Sequence, residues 1–135
     1  SCVHGAIAVS WESEAGLVQR KMAEFALGAL SGKVDRYLGV TFVMNVTPDC
    51  DCCSWSDAPL VPDVGILAGR DPVALDQAGH DLVKAQPGIV SSALGVSGAA
   101  VEDKLAYLHR LDPAVQLEHG EAVGLGVRSY RLRTI

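Results

Sequence analysis

The sequence is short of positive charge: 11 Lys and Arg stand against 16 Asp and Glu, a formal net charge of −5. A protein that grips a phosphate backbone usually shows a basic footprint, so no nucleic-acid partner is expected. The chain also lacks any run near the roughly 18 apolar residues that a bilayer-crossing helix needs, and no membrane partner is expected. No charged n-region followed by an apolar h-region marks a signal peptide. No G-x-S-x-G, P-loop, G-x-G-x-x-G or H-E-x-x-H is present, which removes the commonest motif-bearing enzyme classes. Internal repeats and low-complexity tracts are missing too. What remains is 135 residues, 49% hydrophobic and 20% charged, which reads as one soluble acidic domain with a core of its own. With Ser1 in place of Met, the chain is expected to be processed, tagged or excised from something longer.

Apolar side chains at Leu17, Val18, Met22, Phe25, Ala26, Ala29 and Leu30 recur at helical spacing, with Glu14, Arg20, Lys21 and Glu24 opposite. This pattern predicts an amphipathic helix over 13–31, stopped by Gly32. The β-branched and aromatic run 36–46 predicts a strand, apolar enough to be central, ended near Pro48. A proline-bearing loop follows over 48–63, then a short buried strand over 64–68. Asp71-Pro72 pairs an N-cap with a proline at the first helical position, and the helix it opens runs to about Ala85. Residues 86–99 read as turns, 100–111 as a helix, and Asp112-Pro113 as the start of another helix that ends at Gly124-Leu125-Gly126. Residues 127–135 alternate as a final strand. With a first strand in 1–9, the order β-α-β-β-α-α-α-β predicts an α/β domain, a mixed sheet flanked by helices in a single unit.

Chemistry concentrates in Thr47–Asp57, where Cys50, Cys52 and Cys53 fall within four residues. Thiolates are soft donors suited to Zn, Cu(I) and iron–sulfur centres. The C-x-C spacing lets Cys50 and Cys52 face one ion, with Cys53 turned away or recruiting a second group. The remaining donors of a tetrahedral Zn or Fe site would come from Asp57, His80, His109 or His119. Redox thiols and an inert structural loop are the competing readings, because the second half of a paired C-x2-C site is missing. Disulfide pairing is less attractive, since nothing marks the chain as secreted.

Seven Asp lie between Asp49 and Asp81, with Arg70 the one Lys or Arg among them. Asp63, Asp71 and Asp76 are candidates for a carboxylate site doing acid–base work or binding a hard cation. The structural alternatives are plain: Asp71 and Asp112 as helix caps, Asp63 as a loop cap, Asp76 and Asp81 on a solvated helix face. His80 follows Asp76 by four residues, so the two are placed to meet. His119 lies between Glu118 and Glu121, near a helix end that favours a cation.

The run from Asn45 through Ala78, including Cys50-Asp-Cys52 and Asp71-Pro-Val-Ala-Leu-Asp76, resembles the DUF362 family. So do the opening Cys2 and Gly5-Ala6-Ile7, the Met22-Ala-Glu-Phe-Ala26 stretch, and the late Leu117-Glu-His-Gly-Glu121 and Gly124-Leu-Gly126. Many members of that family are ferredoxin-linked proteins of anaerobic bacteria and archaea, with a large N-terminal region followed by a pair of four-cysteine cluster motifs. The resemblance implies that residues 1–10 are the tail of a truncated ferredoxin-type 4Fe–4S insert and that 11–135 are the C-terminal α/β domain. Val3 stands where the cluster motif has proline. Cys2 would be a remnant cluster ligand, unable to hold a cluster alone. The implied parent is a cytoplasmic iron–sulfur protein that holds 4Fe–4S clusters only at full length, works with a redox partner, and has no assigned reaction.

Three functions follow as expectations. The first is a C-terminal domain of a redox iron–sulfur protein whose Cys50/Cys52 loop binds metal or touches a cluster. The second is an enzyme domain with a site at Asp63, Asp71 and Asp76. The third is a structural domain that docks on the missing N-terminal region. That last reading predicts a large exposed apolar patch, which would also favour a homodimer of the fragment.

Overall fold

A computed structural model describes residues 15–33, 36–50 and 57–135. The helical stripe of the first segment winds into α1 (Ala15–Leu30), and Gly32 follows it in the left-handed region at φ 69°. Strand β1 (Gly39–Val43) pairs antiparallel with β2 (Gly65–Gly69), in a register that sets Phe42 opposite Ile66 and Thr41 opposite Leu67. Helix α2 (Pro72–Ala85) then crosses the sheet. Asp71 caps it, its carboxylate accepting from the Ala74 amide. Three shorter helices complete the chain: α3 (Gly95–Ala99), α4 (Lys104–His109) and α5 (Ala114–Ala122). The described residues therefore form a small single-domain mixed α/β fold of five helices and a two-stranded antiparallel sheet.

The period of two in the strands decides what is buried. Thr41, Val43 and Leu67 point toward α2, where Gly79 lets the helix backbone come close: a Cβ there would stand 3.9 Å from each of the three. Val43 joins Leu60, Val61, Val83 and Leu94 in the main core, with Leu105 and Leu108 against it. A second apolar contact lies on the far side of α2, where Val73 meets α5 at Gly120 and α5 meets α1 at Ala23. The other side of the sheet is uncovered. Val40, Phe42 and Ile66 are 52%, 65% and 59% exposed. The strand expected to be central, 36–46, is β1, and among the described residues it has one neighbour, β2, and one bare face.

Two further differences have local causes. The helix expected over 100–111 starts later, because Asp103 adopts an extended backbone and its carboxylate accepts from the Ala106 amide; Arg110, at φ 53°, ends it. The turn-rich stretch before it contains α3. The expected final strand is an extended segment without a ladder. Its amides are taken by side chains instead: the Val127 N–H donates to Asp71 Oδ2 and the Arg128 N–H to Glu121 Oε1, at 2.9 and 2.8 Å. The first strand expected in 1–9 lies outside the described residues, as does the whole of the expected 1–10 unit.

Candidate functional site

The cysteine loop leaves β1 and returns to β2, and its two feet are tied together. The Leu60 amide donates to the Val46 carbonyl and the Val64 amide to the Val43 carbonyl, both at 2.8 Å. Asn45, at φ 49°, gives its amide to Asp63 Oδ1 at 2.7 Å. Thr47 Oγ1 donates to the Asp49 carbonyl at 3.0 Å. From the far end of the chain, His109 Nε2 reaches the Pro48 carbonyl at 2.8 Å and so donates to it. Cys50 is exposed at the edge of this clasp. Cys52 and Cys53 lie outside the described residues, as does Cys2. Asp57, on the returning side, turns its carboxylate to the Ala58 amide.

Of the three expected histidine partners, His109 alone has a bond to the loop's described feet. His80 does not meet Asp76, as its spacing suggested. Its Nε2 lies 2.9 Å from Asp103 Oδ2, which ties α2 to the cap of α4. His119 bypasses its neighbours Glu118 and Glu121 and bonds Glu24 Oε1 on α1 at 2.9 Å. Among the described residues, no group of three or more His, Cys, Asp and Glu side chains gathers as a metal-holding set.

The three candidate carboxylates do not converge. Asp63 and Asp71 sit beyond opposite ends of β2, about 20 Å or more apart at the rise of an extended chain. Asp63 closes the loop clasp. Asp71 is occupied twice over, by Ala74 N–H on one oxygen and Val127 N–H on the other. Asp76 is exposed as a residue but lines the crevice between α1, α2 and α5, beside Met22, Ala26 and Leu117. Desolvation there raises its carboxyl above the usual 3.8.

Two polar devices were missed by sequence reasoning. Lys104 is buried, 4% exposed, and its Nζ donates to the carbonyls of Lys84, Gln86 and Glu102 at 2.7, 2.6 and 3.1 Å. It serves the C-terminus of α2, where orphan carbonyls favour a cation. The available signal was a lysine in the first turn of α4, the wrong end for its own helix dipole. The second device is a clamp at Arg128, whose Nε donates to Gln77 Oε1 and Nη1 to Glu118 Oε1. Beside it the Tyr130 hydroxyl donates to Asp81, and desolvation, aided by that acceptor, raises the phenol's pKa.

Residues 1–81 match a family model described as domain of unknown function (DUF362). That span takes in α1, the sheet, the cysteine loop and most of α2. None of the curated proteins matches the chain, and no solved structure does. No helix among the described residues is long and apolar enough to cross a membrane.

Proposed function

Because the chain belongs to the DUF362 family, whose model covers 81 of its 135 residues, we propose that it is the C-terminal docking domain of a redox iron–sulfur protein. The uncovered face of β1 and β2 seats the region that precedes it in the parent protein, with Cys50 on the segment that leaves β1. The observation that supports this reading is the bare sheet face. Val40, Phe42 and Ile66 form one cross-strand patch, flanked by Leu38 and Met44, at 67% and 43% exposure. Covering three such side chains is worth on the order of 5 kcal/mol. Patches of this kind mark interfaces. The segment bearing Cys50 leaves from the same strand, seven residues past Val43.

The test mixes the chain with the separately produced preceding region of its parent. Analytical ultracentrifugation should find a one-to-one complex, weakened by roughly a hundredfold or more in Phe42→Ser/Ile66→Thr, with circular dichroism unchanged. A chain that only forms homodimers and leaves that region uncomplexed overturns the proposal.

A second reading has one observation in its favour. His109 holds Pro48, two residues before Cys50, so an imidazole stands at the root of the thiol loop. Cys50, Cys52 and Cys53, with His109, would hold a soft ion; zinc there supplies a cross-link, iron a one-electron centre. Elemental analysis of anaerobically purified protein should give about one Zn or Fe per chain, as a single site of this donor type requires. The metal should be lost in Cys50→Ser/Cys52→Ser. No metal in either protein rejects an autonomous site.

A further inference from the structure

The largest concentration of unused positive charge lies far from the cysteine loop, at the other end of β2. A cleft of about 460 Å³ opens there between β2, α2 and the C-terminal segment. That volume falls within the range of small-molecule sites, roughly 300–1,000 Å³. Leu67, Leu75 and Leu132 contribute apolar wall, and Arg70, Arg131 and Arg133 line the same space. In an acidic chain of net charge −5, three of 11 bases share one cleft.

Among the described residues these guanidinium groups have no ion-pair partner. The ion pairs of the described residues engage Lys84, Arg128, His80 and His119, and none of the three cleft arginines. The one carboxylate side chain in the cleft, Asp71, has both oxygens committed to the amides of Ala74 and Val127. The segment that leads into Arg131 and Arg133 is held as far as Tyr130. Arg128 is clamped to Gln77 and Glu118, and Tyr130 is bonded to Asp81 on α2 at 2.9 Å.

We propose that this cleft binds an amphipathic phosphate ester: an apolar or aromatic group of a few carbons bearing a phosphate. Guanidinium forks match phosphate oxygens two at a time. Three of them beside apolar walls make a field that a dianion answers and a neutral molecule does not. The leucine walls then favour an ester over bare phosphate. The site shares only Ile66 with the docking face and includes no residue of the cysteine loop.

Isothermal titration calorimetry in low salt tests it with phenyl phosphate, inorganic phosphate and phenol. Phenyl phosphate should bind at least tenfold tighter than inorganic phosphate, and phenol should give no measurable binding. Arg131→Gln/Arg133→Gln should lose at least tenfold in affinity for phenyl phosphate with an unchanged circular dichroism spectrum. Lys21→Gln on α1 should lose nothing. Absence of binding up to about 10 mM phenyl phosphate, a Kd weaker than any specific small-molecule site of this size, overturns the proposal. Equal affinity for phosphate and its phenyl ester also overturns it, leaving only surface attraction. So does an unaffected double variant.

Discussion

Replacing Lys104 by methionine should lower the unfolding free energy by about 2–3 kcal/mol. The ammonium makes three hydrogen bonds, to the carbonyls of Lys84, Gln86 and Glu102, at 2.6–3.1 Å. Bonds to a charged partner are worth about 1.5–3 kcal/mol each by mutation, so a naive sum is roughly 5–9. Two effects reduce it. Removing a buried ammonium recovers a desolvation cost of several kcal/mol. The freed carbonyls at the surface end of α2 also regain water. Methionine keeps most of the aliphatic stem, so the loss isolates the charge. Alanine should cost about 2 kcal/mol more, for three methylenes at about 0.8 each. Urea unfolding followed by circular dichroism measures both, and the methionine variant should melt roughly 10 °C lower. A methionine variant within about 0.5 kcal/mol of wild type would refute the reasoning, because the end of α2 would then be satisfied without the lysine.

Asp76→Asn should be more stable than wild type at neutral pH. The folded state holds the Asp76 proton more tightly than the unfolded chain does, so wild-type stability falls as pH rises from 3.8 through the raised folded value. The two proteins should converge in urea titrations at and below that lower limit, and a difference that persists there contradicts desolvation as the cause. Leu60→Ala, at a side chain of 0% exposure, should cost about 3 kcal/mol by transfer and cavity, read from the urea midpoint at constant slope. Asp71→Ala removes a helix cap and the bond to Val127 together, for about 2 kcal/mol. Hydrogen exchange of the Val127 amide should rise well beyond that of the main core; an unchanged rate means the tail is held by Arg128 alone.

The readable parts of this fold were those written in neighbouring residues. Asp71-Pro72 announced α2, Gly32 the end of α1, and Gly124 the end of α5, where the amides of Gly124 and Leu125 turn back to Glu121 and Gly120. Periodicity placed both strands within a few residues. It did not say which apolar face would be covered. Phe25 on α1 is 81% exposed although it belongs to the helical stripe, because α1 packs on α5 through the small residue Ala23. The contacts of the candidate residues follow the same logic. Asp76 and His80 have the right spacing to meet, but Asp103 offers a closer partner from 23 residues away. Composition flagged the crowd of aspartates and could not show that Asp63 and Asp71 would be spent as clasps at opposite ends of one strand. The three cleft arginines are scattered in sequence, and only the path of the C-terminal segment gathers them.

Helix α2 depends at both ends on chain that follows it. Its first turn leans on Asp71, whose second oxygen waits for Val127, and its last carbonyls wait for Lys104. On the ribosome, residues 72–85 emerge before either partner leaves the exit tunnel. The helix therefore cannot reach its final stability until about forty more residues have left the exit tunnel, and at a synthesis rate of roughly 5–20 residues per second that interval lasts seconds. Through that time the hairpin's apolar outer face and the open helix ends are presented together. The stretch after α2, in this sense, sets the moment at which both ends of that helix are closed.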